Sequence, residues 1–301
     1  MSRTFVEMEG ARLSLSNLEK DLYPSYGFTK ARILQYYRRI APFILPHLKE
    51  RALTLKRYPE GVDKDFFYEK RCPAHRPVWV PTAAIPQDKG EELTACLVND
   101  LQTLMWVVNL ASLELHVPLA RASSPDRPDA VVFDLDPGEP ADILQCSRVA
   151  LILRDLLSRV GLASYVKTSG RKGLHVFVPL NRQDATFERT KMFSKTVAET
   201  MQKHYPDLVT PNMAKQERIG RVFINWSQNS ASKTMIAAYS LRAGEKPLVS
   251  VPLGWNELEE LSRQGDPDKF SFPPADAVRR AEERGDLFAE VLKKEQTLPH
   301  M

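Results

Sequence analysis

Asp134-Leu135-Asp136-Pro137 closes an apolar run and is the strongest chemical feature of the sequence. On a strand, side chains i and i+2 leave from the same face, ~6.5 Å apart along the chain. Carboxylates so placed repel each other unless a proton or a cation intervenes, and their oxygens are the hard ligands that Mg²⁺ or Mn²⁺ prefers. Two ions about 3.5–4 Å apart, bridged by such a pair, form the clamp of in-line phosphoryl transfer. An acidic pair also ends strands that do no chemistry, so by itself the pair points both ways.

A second feature follows at Thr168-Ser169-Gly170-Arg171-Lys172-Gly173-Leu174-His175. Two glycines let the backbone fold tightly and bring N–H groups toward an anion, and Ser169 and His175 can donate to phosphate oxygens. The plainer reading is a hairpin turn with a solvated Arg-Lys tip. A third is Arg221-Val222-Phe223-Ile224-Asn225-Trp226-Ser227-Gln228-Asn229, where Asn225 is either a core amide satisfied by backbone or a site residue facing a cleft. His116, in Leu-Glu-Leu-His-Val-Pro, is either a satisfied, partly buried histidine or a catalytic one.

The elements that must position these groups follow from periodicity. Apolar residues at helical spacing predict helices in 29–49, with Thr29 as N-cap and Ile33, Tyr36, Tyr37 and Ile40 on one face, and in 97–116. Strands are expected at Arg51–Tyr58 and Asp65–Lys70 around a turn at Pro59–Gly61, and an exposed charged loop at Gln87–Leu93. After the Pro/Asp/Ser-rich joint Ser123–Asp129 come a strand at Ala130–Pro137, a helix near 141–160, and a strand ending at Lys167. A turn at Ser169–Gly173, a strand at Leu174–Leu180, a helix near 186–204 and strands at Arg221–Trp226 and Thr234–Leu241 complete this part. Short acidic helices broken by Pro247, Pro267 and Pro273–Pro274 fill the remainder. The order βαββαββ predicts an α+β sheet domain rather than a doubly wound parallel one.

At 301 residues the chain can bury a real core, and 43% hydrophobic with 27% charged residues excludes disordered and low-complexity classes. Leu104–Leu115 is interrupted by Asn109, Ser112 and Glu114, short of the ~18–20 apolar residues of a membrane span. The opening MSRTFVEMEGARL carries no signal-peptide pattern. Cys72, Cys96 and Cys146 show no CxxC and are expected as reduced thiols, which argues for a soluble, cytoplasmic chain without a structural zinc. The net charge is only +4, but Lys30–Arg57 holds eight basic residues and one acidic, whereas Trp255–Glu290 holds ten acidic and five basic. A basic N-terminal portion suits a polyanion, and basic helix faces also simply meet water.

Several motifs, in order, resemble those of the archaeo-eukaryotic primase superfamily and, more closely, the polymerase domain of the ligase D family of non-homologous end joining. They are SNLEKDLYP (16–24), GFTKARILQYY (27–37), LTLKRYPEGV (53–62), FFYEK (66–70), LELHVP (113–118), VFDLDPG (132–138), TSGRKGLHVFVPL (168–180), VFINWSQN (222–229) and AYSLR (238–242). The resemblance implies a primase-polymerase fold with a mixed or antiparallel central sheet flanked by helices, plus an N-terminal α/β part. It implies one catalytic domain over 1–301, with a 5′-phosphate pocket in 1–125, the metal and nucleotide part in 126–245, and an acidic helical part in 246–301. The implied activity is template-dependent addition of nucleotides, NTP over dNTP, to DNA breaks and gaps with two ions of Mn²⁺ or Mg²⁺.

Residue by residue, the resemblance makes Asp134 and Asp136 metal ligands, with Asn225 at the third metal position. It makes Ser169, His175, Lys233 and Arg242 contacts of the incoming triphosphate, and His116 a histidine required near the nucleotide. Phe67 and Tyr68 match an aromatic pair, one of which stacks on a base, with Lys56 and Gln228 as neighbouring nucleotide contacts. Asn17, Lys20 and Lys30 match a pocket for a DNA 5′-phosphate, and Arg218 an arginine that helps order the active site. A Ku-like protein and a DNA ligase are implied partners, with no membrane, and the nucleoid is the implied location. The sequence shows no ligase or nuclease module, so joining is expected to come from a partner.

One departure matters. The family pattern has aspartate where this chain has Asn225, and an amide is a neutral, weaker oxygen ligand. The missing carboxylate would serve mainly the ion that activates the primer 3′-hydroxyl. The chain is therefore expected to bind metal–nucleotide and DNA but to extend primers poorly. The rival readings are a two-metal nuclease, a non-catalytic module that bridges 5′-phosphorylated ends, and a primase that starts chains de novo.

Overall fold

The structure is a computed structural model and describes residues 3–8, 10–86, 91–182 and 184–299. Two compact units divide the chain. Unit 1 comprises Met1–Ser123, Thr234–Val249 and Pro273–Gly285, and unit 2 comprises Ser124–Lys233, Ser250–Phe272 and Asp286–Met301. The break at Ser123 falls within the Pro/Asp/Ser joint, and the segment after 246 is divided between the two units.

Unit 1 opens with β1 (Arg3–Met8), β2 (Ala11–Ser16), β3 (Asp21–Tyr23) and β4 (Phe28–Thr29), then α1 (Lys30–Leu48). Thr29 caps α1 by accepting from Arg32 N, and Ile33, Tyr36, Tyr37, Ile40 and Ile44 form its buried face. Next come β5 (Thr54–Arg57), β6 (Phe67–Glu69), β7 (Thr82–Pro86), β8 (Glu92–Cys96), α2 (Leu101–Asn109) and β9 (Ser112–Val117).

The helix expected over 97–116 is corrected here. Asp100 caps α2, which ends at Asn109, and Ala111 in the left-handed region (φ 61°) turns the chain into a strand. The apolar run fits either period, and Leu113 and Leu115 are fully buried in a sheet. The loop expected at Gln87–Leu93 is also corrected in part. Residues 87–90 lie outside the described residues, but Glu92 and Leu93 belong to β8, paired with β7.

Unit 2 contains β10 (Ala130–Pro137), α3 (Ile143–Arg159), β11 (Tyr165–Thr168), β12 (Leu174–Pro179), α4 (Phe187–His204), β13 (Val209–Thr210) and β14 (Val222–Asn225). The chain returns to unit 1 for β15 (Met235–Ile236), β16 (Leu241–Arg242) and β17 (Leu248–Val249). It then gives unit 2 β18 (Pro252–Leu253) and α5 (Trp255–Gln264), and unit 1 α6 (Pro274–Arg284). The single strand expected at Thr234–Leu241 is thus two short ones in different sheets, separated where Tyr239 adopts φ 65°.

The fold is α+β. Unit 2 is built on a six-stranded sheet of order β13-β14-β10-β12-β11-β18, antiparallel except for β13 beside β14. The four-stranded sheet of unit 1 has order β15-β9-β5-β6 and is antiparallel throughout. In unit 2, Phe133 of β10 meets Phe193 of α4. The odd positions of β10 therefore face helices, and Asp134 and Asp136 share the opposite face. Each fully buried Val, Leu or Phe of that strand contributes about 1.5–3 kcal/mol, which fixes its register and so the place of both acids.

The expectation of three reduced thiols is overturned. Cys72 and Cys96 form a disulfide with Cα atoms 4.8 Å apart, and only Cys146 is a buried free thiol. Spacing concealed this because the pairing is tertiary: Cys72 N donates to Thr94 O, laying the segment before β7 along β8. The thiol-based argument for a reducing compartment falls with it. Among the described residues no helix is long and apolar enough to cross a membrane.

Candidate active site

Four strands of unit 2 place one residue each in a row across the sheet. Lys167 on β11 lies opposite His175 on β12, His175 opposite Asp134 on β10, and Asp134 opposite Asn225 on β14. The contacts follow the register. His175 Nε2 is 3.2 Å from Asp134 Oδ1, while Asn225 Nδ2 and Gln228 Nε2 donate to Asp134 Oδ2 at 3.2 and 3.3 Å. Burial pushes the Asp134 carboxyl up. The His175 bond and attraction, with the two amide donors, outweigh it and hold Asp134 ionised below the usual carboxylate range. Asp136, two residues on, is exposed.

A chain of donors orients Asn225. Lys233 Nζ donates to Ser227 Oγ at 3.0 Å, and Ser227 Oγ donates to Asn225 Oδ1 at 2.7 Å, which turns the amide nitrogen toward Asp134. To serve as a metal ligand, Asn225 must present the oxygen that Ser227 holds. Asp134 and Asp136 offer hard oxygens on one face and fit Mg²⁺ or Mn²⁺. Among the described residues no three His, Cys, Asp or Glu side chains converge on a metal position. The two carboxylates would hold a cation whose remaining ligands come from elsewhere, and the amide of Asn225 adds no third negative charge.

The turn Ser169–Gly173 closes over the end of β10. A Cβ on Gly173 would sit 2.1 Å from Leu135 O, so only glycine permits this approach. Ser169 Oγ accepts from Arg171 N and Gly173 N, which preforms the turn. Lys172 is solvated and paired with Glu139, as expected of a hairpin tip. Arg218 stands on a 3-10 turn (Lys215–Arg218) whose backbone lies against Gly138, with its guanidinium 3.7 Å over the Phe223 ring and Nη2 donating to Met213 O.

Unit 1 gathers a second group of the expected residues around one that sequence reasoning missed, Glu114. This carboxylate is 1% exposed and takes His116 Nε2 at 2.9 Å, Arg242 Nη1 at 3.2 Å and Ala243 N at 3.0 Å, with Lys56 Nζ at 3.9 Å. Burial opposes its ionisation, but the His116 bond, Arg242 and Lys56 bring its pKa down to about 2. Burial lowers the His116 pKa against the pull of Glu114, and the ring nitrogen facing that carboxylate donates to it. The spacing Glu114–His116 was a readable signal for a shared face only once the segment is a strand.

Strand β6 splits the expected aromatic pair. Tyr68 lies 5.5 Å from Lys56 Nζ and 6.2 Å from the His116 ring, beside Phe66, whose ring is 3.9 Å from Lys56 Nζ. Phe67 turns to the other face, under Arg57. The structure thus brings Tyr68, Lys56, His116 and Arg242 together with Glu114. Asn17, Lys20 and Lys30 also converge: Lys20 N bonds Asn17 O, Lys30 N bonds Lys20 O, and Lys30 Nζ donates to Ser16 O at 2.7 Å. Burial, then repulsion from Lys20 and Arg57, lowers Lys30 to a pKa of about 8. Lys20 is paired with Glu60.

Comparison with known proteins bears on the family and the fold. A family model described as the LigD primase-polymerase domain matches residues 29–288. The multifunctional non-homologous end joining protein LigD of Mycolicibacterium smegmatis is 39% identical over 280 residues, covering 92% of this chain and 36% of the relative. The bifunctional LigD of Bacillus subtilis is 34% identical over 248 residues, covering 82% of this chain and 40% of its own length. The chain thus spans little more than a third of such relatives. The solved polymerase domain of Mycobacterium tuberculosis ligase D in complex with DNA superposes with a TM-score of 0.87 at 36% identity, over 95% of this chain and 99% of that one.

Proposed function

The chain belongs to the LigD primase-polymerase domain family, and from that premise we propose that it is a nucleotidyltransferase adding nucleotides, NTP over dNTP, to DNA breaks and gaps in non-homologous end joining. The observation that carries the reading is the ionised Asp134 on one strand face with Asp136, met by His175 and by the amides of Asn225 and Gln228. Mn²⁺ or Mg²⁺ bound there would neutralise the triphosphate and, at a second position, lower the pKa of the primer 3′-hydroxyl.

The chain's own residues do the holding. His175, Ser169 and Lys233 would donate to phosphate oxygens. Tyr68 offers an aromatic face for a base, Lys56 and Arg242 offer cations kept in place by Glu114, and His116 is fixed by the same carboxylate. Gln228 would release Asp134 as a cation takes it, and Arg218 would brace the loop beside β10. Asn17, Lys20 and Lys30 would grip the 5′-phosphate bordering a gap. Phosphoryl transfer asks mainly for positioning and charge neutralisation, which these groups supply. All 301 residues then act as one catalytic module, with a Ku-like protein and a DNA ligase as partners at the nucleoid.

Asn225 favours a second reading, in which this chain chiefly binds and bridges 5′-phosphorylated ends and extends them poorly. Primer extension on gapped DNA, with Mn²⁺ and with Mg²⁺, separates these readings. Nucleotide addition with pyrophosphate release, lost in Asp136→Ala, supports the polymerase. Digested DNA indicates a nuclease, and phosphate-dependent binding with no extension even in Asn225→Asp indicates the bridging module.

A further inference from the structure

Lys167 is 1% exposed in the middle of the unit 2 sheet, and neither the aspartate pair nor the glycine turn accounts for it. A lysine almost never loses its water without a specific partner, since desolvation of an ammonium is costly. Here the partners are defined. Lys167 Nζ lies 2.9 Å from His175 Nδ1 and 2.7 Å from Ser250 Oγ, and Ser250 Oγ is 2.6 Å from Thr168 O. The Ser250 hydroxyl proton must go to that carbonyl, so its oxygen accepts from Lys167. As the ammonium that the Ser250 oxygen stabilises, Lys167 has three donors and no lone pair, so His175 Nδ1 is the accepting nitrogen. The ring proton then sits on Nε2, which faces Asp134 Oδ1 at 3.2 Å.

We infer that Lys167 is a positioning residue that holds His175 as an obligate Nε2–H donor. Two consequences follow from that tautomer. Nε2 cannot act as a metal ligand while it carries the proton, so His175 stays out of the cation's shell even though it touches Asp134. When a cation takes the carboxylate oxygen, the same N–H is left to donate to a phosphate oxygen of the incoming nucleotide. The second consequence rests on the polymerase reading; the first does not.

The test uses the full chain labelled with ¹⁵N-histidine. Long-range ¹H–¹⁵N spectra of the nucleotide-free protein should show His175 protonated at Nε2 and bare at Nδ1. Lys167→Met, which replaces a buried charge by an apolar chain of similar length, should leave a mixture of tautomers and about tenfold weaker binding of ATP with Mg²⁺. Ser250→Ala keeps the lysine but removes its anchor, and should weaken ATP binding about threefold. A proton on Nδ1 in the unsubstituted protein overturns the inference, and that spectrum decides even where a variant does not fold. Unchanged tautomer and ATP affinity in both variants overturn it as well. Unsubstituted protein that shows the Nε2–H ring but binds no ATP removes the phosphate role and the polymerase reading while the tautomer assignment stands.

Discussion

Each unit of this molecule buries a carboxylate against an imidazole on a β-strand, and the two pairs are built for different ends. In unit 1 Glu114 is met by Arg242 and Lys56 as well as by His116 and a backbone N–H, so its charge is more than balanced by the protein. In unit 2 Asp134 is met by the imidazole of His175 and the amides of Asn225 and Gln228, and has Asp136 beside it on the same face. The lysine of that row stands one residue away, behind the histidine. The difference teaches that fixed cations around a buried acid decide its use. Surrounded, it organises the cations; set among amides beside a second acid, it keeps oxygens of the kind that hard cations prefer.

The comparison breaks most clearly if the two acids can be exchanged in effect. In an Asn225→Asp background, Asp134→Ala should lower primer extension on the order of 10³-fold. It should cost less stability than Glu114→Ala, because it strands no lysine or arginine that the structure holds against Asp134. Glu114→Ala leaves buried cations unpaired and should cost about 3–5 kcal/mol in denaturant unfolding. Its acid limb has a defined sign: a folded pKa of about 2 against an ordinary 4.5 means stabilisation that is full above pH 4.5 and lost as pH falls toward 2. Glu114→Gln should flatten that limb. Equal stability loss for both acids, or an unchanged acid limb, would erase the distinction.

Smaller effects sharpen it. Asn225→Asp adds a carboxylate 3.2 Å from Asp134 and should raise extension about tenfold or more. Equal rates in both forms would mean that the amide is no handicap. In unit 1, Lys30 carries a pKa of about 8, so the free protein loses that charge as pH rises through 8. Preference for 5′-phosphorylated over 5′-hydroxyl gapped DNA should therefore decline a fewfold above pH 8, as read by binding, and Lys30→Ala should abolish the trend. A preference that is flat with pH places the phosphate elsewhere.

Much of the scaffold was legible because local pattern and tertiary burial agree. The Thr29-capped helix, the strand ending in the acid pair and the glycine turn all form where periodicity and turn chemistry put them. What stayed hidden depends on register. Glu114 and His116 share a face only on a strand, and the helix expected through 116 would have pointed them apart. Lys167 reads as an ordinary surface lysine until four strands align it with His175, Asp134 and Asn225. Cys72 and Cys96 likewise meet only through the pairing around β8. The motif resemblance reached Asp134, His116 and Arg242 without showing that Glu114 ties the last two together.

Counting Mn²⁺ by electron paramagnetic resonance, with and without UTP, tests the central claim most directly. One firmly held ion per chain is expected when UTP is present, a second in Asn225→Asp, and none in Asp134→Asn. Manganese and UTP bound as tightly by Asp134→Asn as by the unsubstituted protein would contradict it.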